Sequence, residues 1–99
     1  VLRCNKAVLP LHSNVLTDMM QLLISHAGGI VYYEDSITCI VKMNGMMIHI
    51  KRMGVDTWAV NSFSKEFFKI IDSQNPRCTF ACDRVQLASI LRRVSNATV

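Results

Sequence analysis

Ile37-Thr38-Cys39-Ile40-Val41-Lys42-Met43-Asn44-Gly45-Met46-Met47-Ile48-His49-Ile50-Lys51-Arg52 is the stretch on which the fold of this chain turns. Asn-Gly between two apolar runs favours a type I′ turn, in which both central residues take positive φ. A two-residue loop at Asn44-Gly45 pairs Met43 with Met46, Val41 with Ile48, Cys39 with Ile50 and Ile37 with Arg52. The first three pairs are wholly apolar, and the two-residue period of a strand puts them on one face. Thr38, Ile40, Lys42, Met47, His49 and Lys51 fall on the other. Turn chemistry and periodicity select the same register, whereas a slip of one residue would send the apolar set to solvent. Ile40 and Met47 keep the second face from being cleanly polar. They read as scattered surface hydrophobes or as a second contact layer.

Upstream, Ile30 to Tyr33 is a short β-rich run, and Glu34-Asp35 reads as a turn in which aspartate bonds the nearby backbone. Val15, Leu16, Met19, Met20, Leu22 and Leu23 recur at three- and four-residue spacing. His12-Ser13-Asn14 supplies N-cap chemistry before them and Ala27-Gly28-Gly29 a glycine ending, so an amphipathic helix is expected over 14–27. Residues 1–10 read as a strand or extended lead-in, ended by Pro10, which cannot donate to a ladder.

Downstream, Gly54 through Pro76 shows no lasting period and carries Trp58, Phe63, Phe67 and Phe68. A loop of this length is unusual inside one compact domain, so 55–77 reads as an interdomain linker with a short helix at 64–71. A strand is expected over 78–81 and a second helix over 83–96. Asp83 with Gln86 three residues on forms a capping-box pattern, and Leu87, Ile90, Leu91 and Val94 make the apolar stripe. Gln86, Ser89, Arg93 and Asn96 lie opposite, with Arg92 at the edge. The chain therefore divides into 1–54, a 55–77 linker and 78–99, in an α+β class.

Composition bounds the function. The chain of 99 residues is 51% hydrophobic and only 18% charged, which leaves little spare polar surface and suggests apolar area covered by other parts of a larger protein. The opening Val1-Leu2-Arg3 and the stop at Val99 after a helical pattern both read as cut ends. No apolar run approaches the roughly 18 residues a membrane span requires, and no signal-peptide layout opens the chain. Cys39 lies within an apolar alternation, and Cys78 with Cys82 lacks a second ligand pair at zinc spacing. Free thiols in a reducing, cytoplasmic setting are expected, with no metal and no cofactor. Eleven Lys+Arg against seven Asp+Glu give a net charge of +4, which permits nucleic-acid contact without demanding it.

Catalytic signatures are absent. No phosphate-binding glycine loop, metalloprotease helix or nucleophile elbow occurs, and Gly28-Gly29 follows a helix instead of opening one. His12, His26 and His49 are scattered, so the chain is expected not to be an enzyme. Arg92-Arg93 is the most pointed charged feature. It can complement the C-terminal end of a helix dipole, or present phosphate contacts from a face shared with Gln86, Ser89 and Asn96.

The order of elements resembles the bacterial-type DNA sliding clamp, the DNA polymerase III beta subunit that acts as processivity factor. Ala7-Val8-Leu9-Pro10 before the first helix is similar to the family's "V-I-I-P" strand, and Ile37 to Met53 to its closing hairpin. Thr79-Phe80-Ala81-Cys82-Asp83-Arg84-Val85-Gln86-Leu87 with Leu91-Arg92-Arg93-Val94-Ser95 is similar to the "F-x-V-D-R-x-E-L-x-x-x-L-x-R-V-S" strand and helix that open a clamp domain. Phe67 to Ile71 stands where the family has an aromatic-x-x-V-I segment, although the linker lacks the family's Phe-Pro-Asp-Tyr sequence. On this resemblance, residues 1–54 end one β-α-β-β-β unit of an antiparallel sheet with amphipathic helices, and 78–99 begin another.

The resemblance implies a non-catalytic, closed homodimeric ring around duplex DNA that holds a replicative polymerase on template and is placed there by a clamp loader. Arg84, Arg92 and Arg93 would line the channel from one helix, and Ser13, Asn14, Thr17 and Gln21 from the other. Lys69 and Ile70 would take part in binding partner peptides. The rival expectation is a small α+β protein-interaction or regulatory domain that uses its apolar sheet and aromatic surfaces.

Overall fold

The computed structural model describes residues 29–72 and 78–97, together with the backbone of residues 3–4. The helix expected over 14–27, the strand ending at Pro10, and with them Ser13, Asn14, Thr17 and Gln21, lie outside the described residues. Among the described residues, six strands form one antiparallel sheet: β1 (Arg3–Cys4), β2 (Ile30–Tyr33), β3 (Thr38–Met43), β4 (Met46–Gly54), β5 (Thr57–Ser62) and β6 (Phe80–Cys82). Each strand pairs with its neighbours in sequence, so the sheet is a simple meander. Helices α1 (Lys65–Ile70) and α2 (Arg84–Asn96) complete an α+β fold. Neither described helix is long and apolar enough to cross a membrane.

The hairpin forms in the register that its turn and period select. Asn44 and Gly45 take φ of 51° and 74°, and Met43 pairs with Met46, Val41 with Ile48 and Cys39 with Ile50. The Arg52 N–H donates to the Ile37 carbonyl at 2.8 Å, which extends the same pairing. A Cβ on Gly45 would meet no atom, so its positive φ, not crowding, is what calls for glycine. At the other end of β3, Asp35 Oδ1 accepts from the Ile37 and Thr38 N–H groups at 2.8 and 2.7 Å. The Ile37 N–H first of all holds the Asp35 carboxyl below its ordinary range.

The inner face of the sheet, fixed by these pairs, carries one core. Val31, Cys39, Val41, Met43, Ile48, Ile50, Trp58 and Val60 join Phe67 and Phe68 of α1 and Leu87, Leu91 and Val94 of α2 in it. On the outer face Ile40 is only 2% exposed and stands apart from that core, while Met47 is 39% exposed. Ile40 is therefore enclosed, not a surface residue; the two side chains that share the sequence pattern have different surroundings.

The stretch 55–77 departs most from the sequence reading. Its described part is not a linker: Thr57–Ser62 is a strand paired with both β4 and β6, and Phe67 and Phe68 are buried in the common core. Among the described residues, β5, β6, α1 and α2 share one sheet and one core with the hairpin. The Arg52 side chain builds the β4–β5 connection. It donates to the Gly54 and Val55 carbonyls at 3.1 and 3.0 Å and lies 5.9 Å from the centre of the Trp58 ring. The strand expected over 78–81 is β6 at Phe80–Cys82.

The cap at α2 is as the sequence requires. Asp83 accepts from the Gln86 N–H at 2.9 Å and so satisfies one of the helix's unpaired donors. Asp83→Ala is expected to cost about 1 kcal/mol, and Asp83→Asn much less, because either carboxylate or amide oxygen can accept that bond. Urea unfolding of the two variants measures the difference.

Candidate nucleic-acid interface

α2 presents the expected arginines because its other side is committed to the core. Leu87, Leu91 and Val94 are fully buried, which turns Gln86, Ser89, Arg92, Arg93 and Asn96 to solvent along about 15 Å of helix. Arg92 and Arg93 are both exposed. An exposed Val85 shares this surface. No carboxylate occurs within α2, and Asp83 at its N-cap is the nearest acid in sequence.

The three arginines are not equivalent. Arg84 Nε lies 3.2 Å from Asp56 Oδ1 in the β4–β5 turn, with both side chains about half exposed. An Arg93 terminal nitrogen lies 3.0 Å from Asp72 Oδ2 and also donates to the Ile70 carbonyl. The Arg92 side chain has no acidic partner among the described residues. Exposed pairs of this kind are worth up to about 1 kcal/mol and are screened by salt, so a phosphate can displace Asp56 or Asp72 at modest cost. Arg92 can meet a phosphate with no carboxylate of the described residues to displace.

Lys69 and Ile70 sit in the last turn of α1. Lys69 is exposed, and Ile70 is half-buried against the core, with its carbonyl taken by Arg93. The structure thus brings the expected partner-peptide residues beside the expected DNA face. Between them a groove of about 270 Å³ has apolar lining from Ile71, Phe80 and Ile90 and polar lining from Gln86, Ser89 and Arg93. Ser13, Asn14, Thr17 and Gln21 are outside the described residues.

Asp56 and Asp72 escaped the sequence reading, since each meets its arginine across 28 and 21 residues of chain with no periodic signal to join them. The cysteines offer little chemistry. Cys39 and Cys82 carry free thiols. Burial, with Glu34 adding to it, pushes the Cys39 thiol up to about 12, and burial with Asp83 pushes Cys82 up to about 11. Both remain neutral thiols at physiological pH, and the thiolate is the reactive form.

No family model, curated protein or solved structure matches the chain.

Proposed function

We propose that this chain is part of a non-catalytic DNA sliding clamp, in which α2 faces the phosphate backbone of duplex DNA and the assembly tethers a replicative polymerase. The observation that carries this reading is a helix free of carboxylates, mounted on a sheet by a fully buried stripe, with Arg92, Arg93, Gln86, Ser89 and Asn96 on its solvent side. Such a face suits phosphate contact with little sequence preference. Lys69 and Ile70, beside the groove at Ile71 and Arg93, are the proposed contact for polymerase and clamp-loader peptides. Closure into a homodimeric ring, in the cytoplasm, belongs to the same proposal.

The test is retention. The full-length protein, loaded on circular duplex, should stay bound and should leave once the circle is linearised. The double substitution Arg92→Ala with Arg93→Ala should lower the slope of log affinity against log salt by about 2. Retention on circles no longer than on linear DNA sinks the clamp reading. A rival reading, a small protein-interaction or regulatory domain, has the exposed Met47 and Phe63 in its favour. Met47→Lys separates the two, because it should abolish such a protein contact and leave DNA retention intact.

A further inference from the structure

We propose that the outer face of the sheet, from Phe63 across His49 to the hollow beside Lys51 and Asn61, is a platform for single-stranded nucleic acid. The proposal does not rest on the clamp reading, because this face lies on the opposite side of the sheet from α2.

Ring placement comes first. Phe63, just past the end of β5, is 75% exposed, an unusual position for the largest purely apolar side chain type in the sequence. It is not loose. Its ring meets the His49 ring edge-to-face, with centroids 5.2 Å apart and planes at 84°. That geometry fixes the phenyl group while leaving ring surface open to a planar partner.

Charge comes second. Lys42 and Lys51 are exposed on this face, and no outer-facing position of β2 to β6 carries a carboxylate. The acids of the described residues, Glu34, Asp35, Asp56, Glu66, Asp72 and Asp83, all lie in turns, in α1 or at its end, or at the α2 cap. The face therefore favours an anionic partner. A shallow hollow of about 150 Å³ opens between His49, Lys51, Ala59, Asn61 and Thr79. Asn61 Oδ1 accepts from the Ser62 N–H at 2.7 Å, which leaves its amide NH2 as a donor beside the hollow.

An acidic peptide would satisfy the lysines, but its apolar anchors need a well-packed pocket to bind tightly, and this hollow is small and open. Duplex DNA would satisfy the lysines as well, but its bases are already stacked on one another. Unpaired bases supply both halves of the match, flat faces for Phe63 and His49 and phosphates for Lys42 and Lys51.

Fluorescence anisotropy of a labelled oligothymidylate of about 15 nucleotides against the intact protein tests this. Binding should weaken with salt. Phe63→Ala should lower affinity about tenfold, and Phe63→Tyr, which keeps a ring, should restore most of it. Lys42→Gln with Lys51→Gln should reduce the salt slope by about 1.4. Arg92→Ala, on the other side of the sheet, should cost the oligonucleotide less affinity than Phe63→Ala does. Absence of binding at low salt overturns the proposal, as does a Phe63→Ala variant that binds like the parent. Loss of oligonucleotide binding on Arg92→Ala alone would move the contact to α2, overturning this proposal while leaving the clamp reading standing. Capture of an alternating Glu-Leu peptide by the same face, in preference to the oligonucleotide, would make it a protein-docking surface and overturn the proposal too.

Discussion

Trp58→Ala is expected to lower the stability of this protein by about 3–5 kcal/mol, the range for removing a large aromatic ring from a packed core. Trp58 is 1% exposed and sits on β5 with Arg52 of β4 on one side and Cys82 of β6 on the other. Its loss therefore opens a void under the centre of the sheet, and the Arg52 guanidinium loses the ring 5.9 Å from it. Single domains commonly hold about 5–15 kcal/mol in total, so this one change would remove roughly a fifth or more. Trp58→Phe, which keeps most of the apolar volume, should cost much less. Urea unfolding followed by circular dichroism measures both, since the substitution removes the sole tryptophan and with it the fluorescence probe. The midpoint should fall with little change in slope. A Trp58→Ala variant within about 0.5 kcal/mol of the parent would mean that 57–62 is only laid against the core, as a linker would be.

That prediction falls where the sequence was least readable, and the reasons are physical. The hairpin was legible because two independent signals, the Asn44-Gly45 turn and a two-residue period, demand one register. α2 was legible through its cap and an apolar stripe long enough to show helical spacing. β5 offers neither kind of support. A register irregularity between Arg52 and Gly54 breaks the alternation carried over from the hairpin, and the Val55-Asp56 turn has no Asn-Gly signature. Within β5 the contrast is weak too. The inward Ser62 is polar and buried, its Oγ donating to the Met47 carbonyl at 2.8 Å, while the outward Ala59 is apolar. α1 has six residues and buries two adjacent phenylalanines, too short a run for any period to emerge.

The candidate site divides in the same manner. The arginines of α2 could be placed on a helix face because their spacing is local. Their counter-charges could not, because Asp56 and Asp72 approach through the meander and through the end of α1. The outer platform was half visible. Lys42, His49, Met47 and Lys51 share a face by the hairpin period alone, but Phe63 joins them only once β5 is known to be a strand.

Asn44 joins the readable and the unreadable parts, and it carries the second large effect. As a turn residue it needs only tolerance of positive φ, which its 51° uses. Its side chain also reaches across the fold. Asn44 Nδ2 donates to the Val94, Ser95 and Ala97 carbonyls at 2.6, 3.2 and 3.1 Å, so the hairpin turn caps the C-terminal end of α2. The Val94 carbonyl also accepts from the Ala97 N–H at 3.3 Å, and an external donor helps to satisfy carbonyls at a helix end that lack an intrahelical partner. Two substitutions separate the two tasks. Asn44→Gly keeps the positive φ and loses the cap, for an expected cost of about 1 kcal/mol. Asn44→Ala loses the cap and also strains the backbone, for about 2–3 kcal/mol in all. Asn44→Asp should be worse than glycine, because it sets a carboxylate against the negative end of the helix dipole. Thermal unfolding should resolve the series, at about 4–8 °C for each kcal/mol in a domain of this size. If glycine matches asparagine, the contact to α2 contributes nothing and Asn44 is a turn residue alone. If the series holds, the turn that sets the register of the sheet also fixes the end of the helix on which Arg92 and Arg93 stand.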